Sequence, residues 1–151
     1  MFQDSKTLKN RHLKFIKTVS EMEIVYGLKS KNGFATSSST HFEDNDGNPI
    51  GMICFWAEEV RAKSCIKDEW KKYNVTEIPL AEFMENWCVG MANDELLIGT
   101  QFDQSLFGYE VEPSELIIEL IDELRSIEKD LKFRKFNGIA DLEKEVRVII
   151  N

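Results

Sequence analysis

The sequence predicts a single α+β domain, in which helices pack against an antiparallel sheet of about five strands built from hairpins. The chain has 151 residues, which suits one domain. Segments with helical and strand periodicity alternate in the order helix, two strands, strand, two helices, two strands, two helices. Three prolines and eight glycines are too few for a linker. We therefore assign residues 1–151 to one domain.

The first part of the chain predicts a helix followed by a hairpin. Residues 7–20 have an amphipathic pattern, with Lys and Arg opposite an apolar face of Leu8, His12, Phe15, Ile16 and Val19. The run EIVYGLK is typical of a strand, and Lys31-Asn32-Gly33 connects it to FATSSST. Asn-Gly between two strand-like runs favours a β-hairpin. After the polar loop 43–49, IGMICF predicts a third, more apolar strand.

The middle of the chain predicts two helices joined by an extended link. From Ala57 to Tyr73 the helical period returns, with an inward face of Val60, Ile66 and Trp70. VTEIPL is extended, because Pro79 disfavours helix at the residue before it. LAEFMENWCVGM predicts a short helix with an apolar face of Leu80, Phe83, Met84 and Trp87.

The C-terminal part predicts a second hairpin and the strongest helix. ELLIGTQF and FGYEVE form the hairpin across residues 103–105. The helix begins at Pro113-Ser114, since proline suits the first turn and Glu115 suits its positive end. Its apolar stripe comprises Leu116, Ile117, Leu120, Ile121, Leu124, Ile127 and Leu131. Beyond Lys132, Gly138 is expected to interrupt regular structure, and Asp141 is a candidate cap for a short last helix. VRVIIN is compatible with a strand, but a helix is the preferred interpretation.

Charge is distributed unevenly along the chain. The 52 residues from Tyr73 to Leu124 contain twelve acidic residues and no basic one, although the composition predicts roughly six basic residues there. The net charge is −8. Such a surface repels nucleic-acid phosphates and favours a basic protein partner, so we expect no nucleic-acid binding.

Several function classes lack support in the sequence. The N-terminus has no apolar core of a signal peptide, and no apolar run is long enough to span a membrane. Cys54, Cys65 and Cys88 are odd in number and widely spaced, which predicts buried free thiols and a cytoplasmic protein. The loop EDNDGN lacks the calcium-loop spacing, because Phe42 and Ile53 occupy the first and last ligand positions. We therefore predict no metal site, no cofactor and no catalytic residue.

The ordered segments resemble an uncharacterised bacterial family, domain of unknown function 2750. The resemblance is carried by FWAEEVRA from Phe55, IPLAEFMENW from Ile78, ELLIG from Glu95 and YEVEPSEL from Tyr109. It covers about residues 10–124, and residues 133–151 would be an extension. It implies a compact α+β domain and no catalytic residue. The resemblance also implies a structural role for its signature positions, which are Trp56, Pro79, Phe83, Trp87, Gly99 and Pro113.

The leading functional hypothesis is a non-enzymatic, acidic protein-binding module, most simply an immunity or inhibitor protein that neutralises a basic partner such as a bacterial nuclease toxin. Carboxylates on a rigid scaffold mimic phosphates and accelerate association with a cationic site. The predicted contacts are Glu77, Glu82, Glu85, Asp94, Glu95, Asp103, Glu110, Glu112 and Trp56.

Two alternatives remain open. A small enzyme or ligand-binding domain would use a pocket between sheet and helices, and the feature that would favour it is a pocket lined by His41 or Cys54 together with carboxylates. The other alternative is homodimerisation through an exposed strand such as FATSSST, so the sequence leaves monomer and homodimer undecided.

Overall fold

The computed structural model describes residues 5–150, which form one seven-stranded sheet with helices packed on it, as expected for the α+β class. The helices are α1 (Ser5–Met22), α2 (Glu59–Lys63), α3 (Leu80–Glu82), α4 (Val89–Asn93), α5 (Pro113–Ser126) and α6 (Gly138–Ile150). The strands are β1 (Ile24–Ser30), β2 (Gly33–Phe34), β3 (Thr36–Glu43), β4 (Pro49–Trp56), β5 (Asn74–Pro79), β6 (Leu97–Thr100) and β7 (Tyr109–Val111). Within the described part of the chain, no helix combines the length and apolarity that a membrane crossing requires.

The sheet corrects the expectation of about five antiparallel strands. Its strand path is β2-β1-β4-β6-β7, with β5 on the other edge of β1 and β3 paired with β4. Five of the six strand pairings among the described residues are antiparallel, but β4 and β6 are parallel. The connection between them, residues 57–96, contains β5 and several helical turns. Such a long crossover lets the chain re-enter the sheet in the same direction, which a hairpin cannot do.

Strand β4 separates two apolar clusters. Met52, Cys54 and Trp56 point into one cluster, while Ile53 and Phe55 point into the other. The larger cluster lies between the sheet and helices α1, α3–α4, α5 and α6, and the smaller one lies under α2 and the segments 65–70 and 97–102. Because alternate side chains of a strand face opposite sides, a sheet covered on both faces requires an apolar strand such as IGMICFW.

The helix predicted from Ala57 to Tyr73 is wrong in length. Only α2 is an α-helix, and after it come tight turns and a short 3-10 turn, Asp68–Trp70. The predicted inward Val60 is 70% exposed, and Trp70 is buried edge-on against Trp56, with ring centroids 6.1 Å apart. Asp68 has a left-handed φ of 53°, which an α-helix does not allow.

Glu85 is buried in the helical segment that runs from α3 to α4, where residues 83–88 adopt a wider π-helical turn. Its carboxylate accepts hydrogen bonds from the backbone N–H groups of Arg134 and Lys135, at 2.9–3.1 Å. These bonds fix the segment between α5 and α6 to the body of the protein. The predicted role of Glu85 as a partner contact is therefore corrected: its carboxylate already binds the chain itself.

The preferred helical interpretation of the C-terminal segment is confirmed by α6. Gly138 begins it with a φ of 80°, and a Cβ there would lie 2.8 Å from Asp130 Oδ2. Asp141 accepts a hydrogen bond from the N–H of Asn137. Glu143 binds Arg125 on α5 and Arg147 on α6, and these bonds lower the pKa of Glu143 to about 2.

Replacing the buried carboxylate by its amide tests the role of Glu85. We expect Glu85→Gln to lower the free energy of unfolding by about 1–3 kcal/mol, because the amide group presents a donor to backbone N–H donors. Urea denaturation monitored by circular dichroism measures the change. The matched control is Glu82→Gln, three residues earlier and exposed, whose expected effect is within about 0.5 kcal/mol. Equal effects of the two variants would contradict the structural role.

The pH dependence of stability tests the Glu143 bridge. Since the pKa of Glu143 is lower in the folded protein, its ionised form stabilises the fold above about pH 4.5, and this contribution is lost as pH falls toward 2. Thermal unfolding of the wild type and Glu143→Gln is compared between about pH 6 and pH 3. The difference in Tm should be largest at the higher pH and shrink at the lower pH. A difference that grows with acidification would contradict the bridge.

Candidate functional site beneath the β3–β4 hairpin

The β3–β4 hairpin carries a large bulge. Ser38 pairs with Gly51, and the next pair is Glu43 with Pro49, so five steps along β3 correspond to two steps along β4. The additional residues lie on β3 between Ser38 and Glu43. Bulges of this kind bend a strand and redirect its side chains. Here the bulge brings the backbone and hydroxyls of β3 to β7.

Glu110 on β7 fastens this bulge. The hydroxyl of Ser39 donates to one oxygen of the Glu110 carboxylate, and the N–H and hydroxyl of Thr40 donate to the other at 3.0 and 2.8 Å. The same Ser39 oxygen accepts the N–H groups of His41 and Phe42, which closes the turn. A carboxylate is a strong acceptor for such bonds. The contact therefore determines how far the hairpin stands from the sheet.

A cavity of about 590 Å³ lies between the hairpin, the start of α1 and the loop after β6. Its walls are mainly apolar, with hydroxyl groups, one imidazole and one carboxylate among them. The lining residues are Ser5, Leu8, Ser37, Ser38, Thr40, His41, Met52, Phe102, Leu106, Phe107, Gly108 and Glu110. Both the size and the mixture of apolar walls with a few polar groups are typical of small-molecule sites.

The floor of the cavity is fixed by Trp56. This residue is fully buried, and its indole N–H donates to the carbonyl of Phe102 at 2.9 Å. The Phe102 ring is in turn packed against Gly108, where a Cβ would lie 2.0 Å from the ring. Burial of Trp56 agrees with the structural role that the family resemblance implies, and its predicted role as a partner contact, which would need an exposed ring, is corrected. A buried indole at the end of β4 is stable because its N–H group has a hydrogen-bond partner.

The rim of the cavity is formed by the loop 101–108. Asp103 closes it, accepting the N–H groups of Ser105 and Phe107 through Oδ1, while Oδ2 lies 3.7 Å from Arg11 of α1. Leu106 adopts a left-handed φ of 64°, and its side chain and that of Phe107 are about two-fifths exposed. A bulky residue in this backbone region costs about 1–3 kcal/mol, and such positions concentrate at ligand sites.

The chemistry of the cavity favours a particular class of ligand. Among the described residues that line the cavity, Glu110 is the only acidic side chain, His41 lies in the same lining, and there is no Lys or Arg. Both oxygens of Glu110 accept protein donors, but a carboxylate has further lone pairs. The walls therefore suit a mainly apolar molecule that carries a cationic or hydrogen-bond-donating group.

The other predicted acidic contacts are not gathered into one surface. Glu77, Glu82, Asp94, Glu95 and Glu112 are exposed. Glu82 and Asp94 lie at opposite ends of the α3–α4 segment, roughly 18 Å apart at the helical rise. Glu77 is on β5 and Glu112 follows β7, at opposite edges of the sheet. Asp103 and Glu110 are engaged in the loop and hairpin contacts described above.

Carboxylates do approach one another at the start of α5. Burial raises the pKa of Glu115, and the neighbouring Glu112 and Glu119 raise it further. We call Glu112, Glu115 and Glu119 the acidic ridge. Lys9 and Arg147 line the depression beside it, and Arg147 is paired with Glu143.

His12 is a buried histidine with both ring nitrogens bonded. Nδ1 lies 2.8 Å from the hydroxyl of Thr100, Nε2 lies 2.9 Å from Glu119, and the ring stacks on Tyr109. A neutral imidazole satisfies both contacts, donating from Nε2 to the carboxylate and accepting from the hydroxyl at Nδ1. The arrangement joins α1, β6 and α5, and we assign it to the core.

The cysteines and the 43–49 loop have structural roles. All three cysteines are buried with free thiols, as the sequence predicts. Burial raises the pKa of Cys54 and Cys88, so these thiols remain protonated and poorly nucleophilic at neutral pH. In the loop, Asp44 Oδ1 accepts the N–H groups of Asp46 and Asn48, which forms a closed turn. Within residues 5–150, no three His, Cys, Asp or Glu residues are grouped to hold a metal ion.

Local sequence patterns do not predict most of the cavity. They favour an exposed or edge strand for residues 36–40 and a hairpin turn for residues 103–105. The available signal was the apolar pair Leu106-Phe107, which directly follows that turn and precedes Gly108. Large apolar residues in a surface loop indicate either a local cluster or a binding surface.

Comparison with known proteins identifies the family. No curated protein and no solved structure matches the chain significantly. A family model described as Protein of unknown function (DUF2750) matches residues 12–120, which include all seven strands and most of α5. The expected resemblance over about residues 10–124 is thereby confirmed, and α6 lies outside the matched region. The chain belongs to this family, DUF2750.

Proposed function

We propose that the domain binds a small, mainly apolar ligand with a cationic or donor group in the cavity beneath the β3–β4 hairpin. The observation that carries this proposal is the cavity of about 590 Å³, in which His41 and Glu110 stand among apolar walls. A ligand-binding domain is expected to have a pocket lined by His41 or Cys54 together with carboxylates, and here His41 and one carboxylate, that of Glu110, line the same cavity. The proposed role is binding, and no bond-making step is assigned to any residue.

Two further features support the proposal. Glu110 is preorganised by three donors from Ser39 and Thr40, so binding does not require the carboxylate to be ordered anew. Leu106 and Phe107 offer apolar surface at the rim, which a ligand would remove from water at about 25 cal/mol per Å².

A pair of aromatic probes tests the charge preference. We expect 2-phenylethylamine to bind saturably and phenylacetate, of similar size and opposite charge, to bind more weakly by about tenfold. Glu110→Gln should weaken binding of the amine by about tenfold, because the carboxylate that pairs with the ammonium group is lost. Isothermal titration calorimetry measures both effects.

The matched control is Glu145→Gln on α6, an exposed position outside the cavity lining. It makes the same change in net charge and should leave the Kd of the amine within about twofold. Equal weakening by the two variants, or tighter binding of phenylacetate, would overturn the proposal.

A second candidate is the immunity or inhibitor function, restricted to the acidic ridge. The raised pKa of Glu115 favours this candidate. Repulsion from Glu112 and Glu119 contributes to the rise, and a bound cationic partner would relieve that repulsion. The partner class is a basic protein, such as a nuclease toxin whose cationic site normally receives phosphates. Glu119 also holds His12, so the contacts proposed for substitution are Glu112 and Glu115.

Co-expression with a basic nuclease domain encoded next to this chain's gene tests the second candidate. We expect the two proteins to purify together, nuclease activity to fall, and affinity to decrease with salt. Glu112→Gln with Glu115→Gln should slow association by about tenfold, whereas Glu77→Gln with Glu82→Gln, on other parts of the surface, should not. The candidate fails if no neighbouring nuclease is inhibited or if both double variants behave alike.

A further inference from the structure

A second cavity carries the opposite charge. It is a groove of about 880 Å³ between the β1–β2 turn and the segment that leads into β5. Its lining contains four lysines and two carboxylates, with hydroxyl and amide groups between them. The lining residues are Lys29, Ser30, Lys31, Asn32, Asp68, Glu69, Lys71, Lys72, Tyr73, Asn74 and Thr76. We call it the lysine groove.

Both walls of the lysine groove are fixed by the fold. On one wall, Lys29 stands 5.7 Å from the ring centroid of Phe34, and the hydroxyl of Ser30 accepts the N–H of Asn32 in the turn. The other wall begins after Trp70, which is buried against Trp56. The pairing of β1 with β5 places Lys29 opposite Asn74 and so joins the two walls. The groove is therefore bounded by two walls that the pairing of β1 with β5 holds together.

In the described part of the chain, the lysines of this groove have no carboxylate partner, although Lys29 contacts the Phe34 ring. Within residues 5–150, none of Lys29, Lys31, Lys71 and Lys72 has a carboxylate oxygen within 4 Å, although Lys63 and Lys129 elsewhere are paired. Asp68 and Glu69 lie in the same lining and leave an excess of positive charge. Four like charges around one concave surface repel one another in the free protein, and an anion there would relieve the repulsion.

Among possible anions, the chemistry of the lining favours a polyphosphate. Lysines are point charges that bind phosphate oxygens without the planar geometry of Arg–carboxylate pairs. The lysines are divided between two walls, so a chain of several phosphates can reach both. Tyr73 is half-buried in the lining and packs against the smaller apolar cluster, and the part of its ring that faces the groove can contact a base. The amides of Asn32 and Asn74 can offer hydrogen bonds to the base.

We propose that the lysine groove binds a small polyphosphate ligand, such as a nucleoside triphosphate. This site is independent of the cavity beneath the β3–β4 hairpin, because the two linings share no residue. An anion site is compatible with the acidic surface expected from residues 73–124, because the four lysines of the groove all precede that segment.

Calorimetric titration with ATP, inorganic triphosphate and adenosine tests the proposal. ATP and triphosphate should bind and adenosine should not, and raising the salt concentration from about 50 to 300 mM should weaken ATP binding several-fold. If ATP binds about as tightly as triphosphate, the phosphate chain is the ligand. If ATP binds about tenfold more tightly, the nucleoside adds contacts at Tyr73. Both results support a polyphosphate site.

Lysine variants locate the site. Lys71→Gln with Lys72→Gln should weaken ATP binding at least about tenfold. Lys14→Gln with Lys17→Gln, on the exposed side of α1, makes the same change in net charge outside the lining and should leave the Kd within about twofold. Glu110→Gln should also leave it unchanged, which separates this proposal from that of the hairpin cavity.

Four results would overturn the proposal. They are binding of adenosine as tight as that of ATP, equal losses in the two lysine double variants, no saturable binding of ATP or triphosphate, and much tighter binding of a single-stranded oligonucleotide than of either. The last result would assign the groove to nucleic acid instead.

Discussion

The structure depends on β4, a strand that is hydrogen-bonded on both edges and covered on both faces. On one edge it pairs with β1 and β3, and on the other it runs parallel to β6. Its side chains alternate between a thick helical layer and a thin layer made of α2, short turns and the loop around Phe102. The helical layer stabilises the sheet. The thin layer leaves the two cavities at its ends.

That asymmetry explains where the candidate sites lie. Helices pack into grooves along their whole length and leave little space against a sheet. Turns and loops cannot fill the same area, so the hairpin bulge and the loop 101–108 enclose a cavity on one side, and the β1–β2 turn with residues 68–74 encloses a groove on the other. The two differ in charge because one is closed by Glu110 and the other is lined by four lysines. A single chain with a net charge of −8 can therefore present two sites of opposite preference.

Local sequence patterns predicted most elements of this fold. Helices α1 and α5, the β6–β7 hairpin and the extended β5 follow from periodicity and proline signals that act between neighbours in sequence. The predicted Asn-Gly hairpin is confirmed only at Gly33-Phe34, because the rest of FATSSST pairs with β4 instead of β1. The parallel pairing of β4 with β6 could not be predicted, because it joins strands separated by residues 57–96 and depends on the layer that covers them. The helix expected from Ala57 to Tyr73 failed for a similar reason, because Asp68 adopts a left-handed φ and Trp70 packs on Trp56, a residue of the sheet that no local pattern brings close.

The sites were less predictable than the fold. The acidic segment was visible in the sequence, but Glu85 is buried, Asp103 and Glu110 are engaged internally, and the exposed acids lie on different faces. The cavity depends on a bulge that brings Ser39 to Glu110, residues 71 positions apart, and no short pattern encodes such a contact. Backbone amide NMR of the protein titrated with 2-phenylethylamine tests the central claim most directly. If the ligand binds in the cavity beneath the hairpin, saturable shifts will be confined to residues 37–41 and 102–110. Shifts elsewhere, with none in these two segments, would contradict binding there.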